Sequence, residues 1–233
     1  MRRRFGILLF AIAWTGFAQT TAELPYQVAR YEPVLENNYV DVYRLRLAPH
    51  FRTPLFQNVH DVVWVALEDS TPRFVMSSGQ KVRQELTAGD ARFFHSFSVR
   101  SVVNDSSLTV EAVVITLKPR GGATSRCECG GDAESALCGC ANAKPMPPLW
   151  AVSMGRITLA GTTLDPQQSF QRASVRNDTL IVAITPLELV DVATPGEARR
   201  IAVPAGGVTW LEAGRHRLKN SGGREERFLS IEF

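Results

Sequence analysis

The second half of this 233-residue chain repeats the first, and that repeat limits the fold more than any other feature. A shift of 117 residues lays Leu47-Ala48-Pro49 on Leu164-Asp165-Pro166. The same shift lays Asp61-Val62-Val63-Trp64-Val65-Ala66-Leu67 on Asp178-Thr179-Leu180-Ile181-Val182-Ala183-Ile184. It puts Gly89 on Gly206, each followed four residues later by an aromatic, Phe93 and Trp210. Asn104 meets Asn220 after a slip of one residue. Single coincidences mean little, but collinear matches from Leu47 to Asn104 argue for duplication. A duplicated chain of this length buries two small cores rather than one large one.

Each copy reads as β-structure. Val40-Asp41-Val42-Tyr43-Arg44-Leu45-Arg46-Leu47 alternates strictly, as does Leu108-Thr109-Val110-Glu111-Ala112-Val113-Val114-Ile115. The stretches Val152 to Leu159, Leu180 to Ile184 and Phe228 to Phe233 read the same way. Short strands between Gly, Pro, Asn and Asp turns predict a sandwich or a barrel. No helical period of useful length follows the N-terminal segment.

The copies are separated by residues 119–148, rich in Gly, Ala, Cys and Pro and poor in anything that builds a core. All four cysteines lie there: Cys127, Cys129, Cys138 and Cys140, spaced C-x-C-x8-C-x-C. An even count in an exported chain favours two disulfides, nested (Cys127–Cys140 with Cys129–Cys138) or staggered. A four-thiolate zinc site competes with that reading, although such sites usually space their cysteines two apart.

Residues 1–18 read as an export signal. Arg2, Arg3 and Arg4 precede an apolar run from Phe5 to Trp14, and Gly16-Phe17-Ala18 offers small residues for cleavage. Cleavage after Ala22, a twin-arginine route through Arg3-Arg4-Phe5, and a retained anchor are the competing readings. The run is too short for a transmembrane helix. The expected protein is therefore exported, periplasmic or secreted, and free of the membrane once the signal is cleaved. The net charge is +3, and three of the arginines lie in the signal, which has no acid. The remainder is near neutral, which disfavours nucleic-acid binding. No G-x-S-x-G elbow, H-E-x-x-H, G-x-G-x-x-G or phosphate loop is present.

The segment from Leu47 through His50-Phe51-Arg52-Thr53-Pro54-Leu55-Phe56-Gln57-Asn58-Val59-His60-Asp61, followed by an apolar strand, resembles the first cupin motif. Gly89-Asp90-Ala91-Arg92-Phe93-Phe94 through Asn104 resembles the second, and Gly207 through His216-Arg217-Leu218-Lys219-Asn220 resembles it more closely. The resemblance covers residues 30–118 and 149–233. It implies an all-β chain of two cupin-like jelly-roll barrels, a bicupin, joined by the Cys/Gly/Pro-rich linker.

Cupins usually hold a divalent transition metal with H-x-H and Glu from the first motif and His from the second. Alternate strand residues share a face, so such a pair points into the barrel together. Here the H-x-H positions fall on Phe56 and Asn58, the Glu on Val62 or Val63, and the second-motif His on Arg100. In the second copy they fall on Ala173 and Val175, with Asn177 opposite His60, and only His216 remains. Three protein ligands within reach are not apparent.

The resemblance therefore implies an exported, non-catalytic bicupin without a cofactor, which binds a small molecule or a partner protein. The pocket candidates are Asn58, His60, Arg100, Asn177 and His216. Arg100 puts a fixed cation and a donor fork where a metal ligand stands, which suits a carboxylate, sulfate or phosphate. The competing reading of Arg100 is a side chain that bends to solvent or pairs with an acid. The alternative function is a metal-dependent dioxygenase or isomerase with a rearranged ligand set around His60, His95 and Asn58. Pairing of two copies through sheet edges, a homodimer, is the expected assembly.

Overall fold

The computed structural model describes residues 31–119, 149–154, 157–171, 176–194 and 197–233. The export signal, the cysteine stretch, Ala173 and Val175 lie outside the described residues.

Among the described residues the regular secondary structure is all strand. The first repeat gives β1 (Tyr31–Glu36), β2 (Val40–Leu47), β3 (Phe56–Gln57), β4 (Val62–Ala66), β5 (Arg73–Met76), β6 (Lys81–Arg83), β7 (Ala91–Phe94), β8 (Val99–Val103) and β9 (Val110–Leu117). The second gives β10 (Leu149–Met154), β11 (Ile157–Leu164), β12 (Ser169–Gln171), β13 (Thr179–Ala183), β14 (Leu187–Thr194), β15 (Glu197–Val203), β16 (Val208–Leu211), β17 (Arg217–Asn220) and β18 (Glu226–Glu232). The sheets repeat strand for strand. The order β1-β2-β9-β4-β7 recurs as β10-β11-β18-β13-β16, and β3-β8-β5-β6 recurs as β12-β17-β14-β15. Each repeat is thus two antiparallel sheets closed on each other, a jelly-roll barrel.

One sequence expectation changes. Val152 to Leu159 alternates as if it were one strand, but it spans β10 and β11, which pair antiparallel with Met154 opposite Ile157. A simple alternation count passes over that break.

Alternation along the strands explains where the cores sit. On β4, Val62, Trp64 and Ala66 face the interior of barrel 1 with Leu45, Phe74, Phe94 and Val102. Val63 and Val65 face the other way. They join Leu180 and Val182 of barrel 2 in an apolar layer that packs one five-stranded sheet on the other. Ile181, Ala183, Leu189 and Phe228 fill barrel 2. The apolar runs of β4 and β13 are buried on both faces for this reason, and they read as continuous rather than alternating sequence.

The layer between the barrels is a pseudo-twofold contact. A Cβ on Gly206 would meet Leu67, and a Cβ on Gly89 would meet Ile184. The 117-residue shift carries Leu67 onto Ile184 and Gly89 onto Gly206, so each barrel offers the other the same pair. Both glycines have positive φ, 95° and 73°, in a turn that hydrogen-bonds back to Ala66 and Ala183. Their conformation and their lack of a side chain are both used.

Candidate functional site

The two asparagines that match across the repeat are structural. Asn104 is buried and its Nδ2 donates to the carbonyls of Leu47, Ala48 and Leu108, while its Oδ1 accepts from the Ser106 amide. Asn220 does the same in barrel 2, with Leu164 and Arg224 as acceptors and the Gly222 amide as donor. Each staples a strand end to a turn. Asp61 and Asp178 likewise play one part twice, accepting from the amides of Ser96 and Ala213 at 2.8 and 2.7 Å.

Four residues before each asparagine the barrels part. In barrel 2 that residue is His216. Its Nδ1 contacts the buried Asp191 carboxylate at 2.5 Å, and its Nε2 lies 2.9 Å from the Glu212 carbonyl. The other oxygen of Asp191 accepts from the Arg217 amide. Asp191 shares its face of β14 with Leu187 and Leu189, which lie in the barrel core. Both ring nitrogens of His216 therefore face protein oxygens, which closes the site with internal partners.

In barrel 1 that residue is Arg100, on β8 opposite Phe56 of β3. It is 1% exposed. Its Cζ lies 3.7 Å from the centre of the Phe94 ring and 5.4 Å from that of Phe56. Nη1 donates to Ser98 Oγ at 3.0 Å, and the Ser98 hydroxyl donates in turn to the His95 carbonyl at 2.8 Å. With the Asn58 amide turned so that its oxygen faces the guanidinium, that oxygen accepts from Nη1 at 2.6 Å and Nη2 at 3.2 Å. Nε has no partner. The structure thus overturns the competing reading, since Arg100 neither bends to solvent nor pairs with an acid among the described residues.

Burial pushes the Arg100 guanidinium down to about 10, with an opposing contribution from Tyr31, so it stays a cation at neutral pH. Burial pushes the half-buried Tyr31 phenol up to about 12, so it stays neutral and does not compensate the charge. Arg92, also buried, differs. It has Asp90 within 3.9 Å and donates to Gln84 at 2.8 Å. Arg44 and Arg46, nearer the surface, share Glu111.

Of the pocket candidates, the structure brings Asn58 and Arg100 together. Tyr31, Phe56, Phe94 and Ser98 complete that set, and sequence reading did not single out Tyr31 or Ser98. Tyr31 lies near the start of the matched region and Ser98 in an unmatched turn, so neither carried a repeat signal. His60 is half-buried and stands outside the guanidinium's hydrogen bonds. His95 packs edge-on against Phe93, 3.9 Å from Asp61. Asn177 is half-buried in barrel 2, and His216 is tied as described. His50 sits in an exposed left-handed turn with φ 56°, and its counterpart Gln167 has φ 67°.

A metal does not fit this set. Among the described residues no three His, Cys, Asp or Glu side chains cluster as ligands. The barrel 1 positions offer a phenyl ring, one amide and a guanidinium that would repel a cation. Outside the barrel interiors, a groove of about 410 Å³ runs between Val34 of β1 and the β15–β16 segment, including Arg199, Arg200 and Pro204. Charged residues on an edge strand such as β15 commonly guard it against pairing.

No model of a known protein family matches the chain, and no curated protein matches it. Solved structures do. A variant of oxalate decarboxylase from Bacillus subtilis is similar over 84% of this chain and 69% of that one, with a TM-score of 0.63 and 13% identity. Another structure of that decarboxylase, a study of its Mn(II) centres, is similar over 91% of this chain and 78% of that one, with a TM-score of 0.62 and 12% identity. AerE from Microcystis aeruginosa is similar over 88% of this chain and 97% of that one, with a TM-score of 0.57 and 11% identity. The fold is therefore that of the cupins. It is a bicupin fold in particular, two barrels in one chain, with the strand order described above.

Proposed function

We propose that this chain is an exported, non-catalytic binding protein whose first barrel holds a small anion against Arg100, and whose second barrel serves as its structural counterpart. The observation that carries this reading is a buried guanidinium with no acid beside it among the described residues. Burying an unpaired charge is costly, and the cost persists where a ligand supplies the missing partner. The donor set of barrel 1 suits an anion and not a divalent metal, so no metal-dependent step is assigned. Export rests on Arg2 to Arg4, the apolar run to Trp14 and the small residues at Ala18.

Titration of the purified mature chain with small anions, paired with elemental analysis, tests this. At least one anion gives a saturable rise in melting temperature that is absent in Arg100→Met, and no transition metal is present in stoichiometric amount. Near-stoichiometric iron, manganese, nickel or zinc that disappears in His60→Ala would overturn the proposal in favour of a metal enzyme. N-terminal sequencing of the exported protein finds a start at residue 19 or 23 if the signal reading holds, and at residue 1 if it does not.

A further inference from the structure

The geometry points to a carboxylate, and not a phosphate or sulfate, as the anion that Arg100 receives; this rests on the binding role proposed above. A guanidinium has five N–H donors in one plane. Nη1 gives one to Ser98 and one to Asn58, and Nη2 gives one to Asn58. The two left over are Nε–H, which has no partner, and the second hydrogen of Nη2. These two lie parallel on the same edge of the fork. That edge matches two oxygens of a planar carboxylate, one per donor.

The surroundings sharpen the choice. Two aromatic rings, Phe94 and Phe56, neighbour the guanidinium, so a ligand approaches along the edge rather than stacking. Among the described residues the ionised balance around Arg100 is a single positive charge, since Tyr31 stays neutral. One monoanion cancels it, whereas phosphate or sulfate brings surplus charge and further oxygens into an apolar interior. The indole Nε1 of Trp64, which is 2% exposed and lies in the apolar cluster that holds Phe94, also lacks a partner among the described residues. Trp64 packs edge-on against Phe74, Phe74 against Phe94, and Phe94 against Arg100. The free edge of Arg100 is a pair of donors, so the ligand supplies acceptors, and the neighbouring phenyl rings favour a short apolar body on it.

The test is calorimetric titration of the dialysed full mature chain with acetate, propionate, sulfate and inorganic phosphate at matched ionic strength. Propionate and acetate saturate one site, and sulfate and phosphate bind at least about tenfold more weakly, the equivalent of one lost charge-assisted hydrogen bond. Arg100→Lys keeps the charge and loses the parallel edge, so its carboxylate affinity falls by about tenfold or more on the same scale. Asn58→Asp places a carboxylate on the guanidinium from within. It weakens propionate binding and raises the melting temperature, and it gives a readout even if the Arg100 variants fail to fold. Equal binding of sulfate or phosphate, with Arg100→Lys unaffected, would overturn the carboxylate and leave the anion site standing. Failure of all four anions to saturate, with Asn58→Asp no more stable than the parent, would overturn both.

Discussion

In barrel 2 the residue four places before the stapling asparagine is a histidine held by Asp191; in barrel 1 it is an arginine held against aromatic rings. The frames around them are the same. Strand order, the Asn104 and Asn220 staples, the Asp61 and Asp178 caps and the Gly89 and Gly206 turns all recur. The difference lies in one cross-strand neighbour. Asp191 pairs with Leu218, two residues before Asn220, and Phe74 pairs with Val102, two residues before Asn104. Where barrel 2 supplies an acid, barrel 1 supplies a phenyl ring. The same architecture therefore closes one polar site with internal partners and leaves the other with an unfilled donor edge. A buried charge with no acid beside it among the described residues is the feature on which the proposed binding role rests.

This comparison is most exposed at Asp191. Asp191→Ala leaves His216 Nδ1 and the Arg217 amide without their acceptor and costs about 3 kcal/mol in urea unfolding, as breaking a buried polar pair does. A loss below about 1 kcal/mol would mean that the pair is no strut. Asn104→Ala takes the donor from three carbonyls and Asn220→Ala from two, each costing about 2–3 kcal/mol, and the two losses agree if the frames are equivalent. Unequal losses would show that the repeat is equivalent in outline only.

The pseudo-twofold layer gives a finer test. Alanine at either Gly89 or Gly206 adopts a left-handed conformation at about 1–2 kcal/mol. At Gly206 its Cβ also meets Leu67 Cδ1 at 2.7 Å, whereas at Gly89 the nearest atom is 3.5 Å away. Gly206→Ala is therefore the costlier of the two by about 1 kcal/mol, the low end of overpacking. Identical losses would place the strain in the backbone alone.

The smallest effect concerns Glu226 of barrel 2, which is buried with one carboxylate oxygen unpartnered. Burial raises its pKa, opposed chiefly by the hydrogen bond from the Glu188 amide. A raised carboxyl pKa destabilises the fold above that pKa, and the penalty is relieved as pH falls through it. Glu226→Gln therefore gains stability at pH 7, by less than about 1 kcal/mol, and the gain shrinks in acid. A gain that grows in acid would reverse the sign of the argument.

Much of the frame was legible in the sequence because backbone needs recur with the repeat. The turn at Gly89 and Gly206 demands φ that few other residues adopt, and the Asn and Asp caps serve backbone amides and carbonyls, so their spacing is fixed by strand length. The meeting of Phe56, Asn58 and Arg100 was also legible, because alternate residues along a strand share a face. The closing of His216 was not. Asp191 reaches it from β14, a strand with no residue match in the repeat, and only register puts the two together. The unfilled edge of Arg100 was equally hidden, since it depends on which hydrogens Asn58 and Ser98 take.

The central claim is that Arg100 is kept for a ligand and not for the fold. It is tested most directly by the melting temperature of dialysed Arg100→Met beside the parent chain, with no anion added. Methionine fills similar space against Phe94, and Asn58 is free to donate its amide to Ser98 Oγ instead, a contact of 3.1 Å. Removing an uncompensated buried cation leaves the melting temperature equal or higher. A fall as large as that of Asp191→Ala would make Arg100 a structural residue and contradict the account.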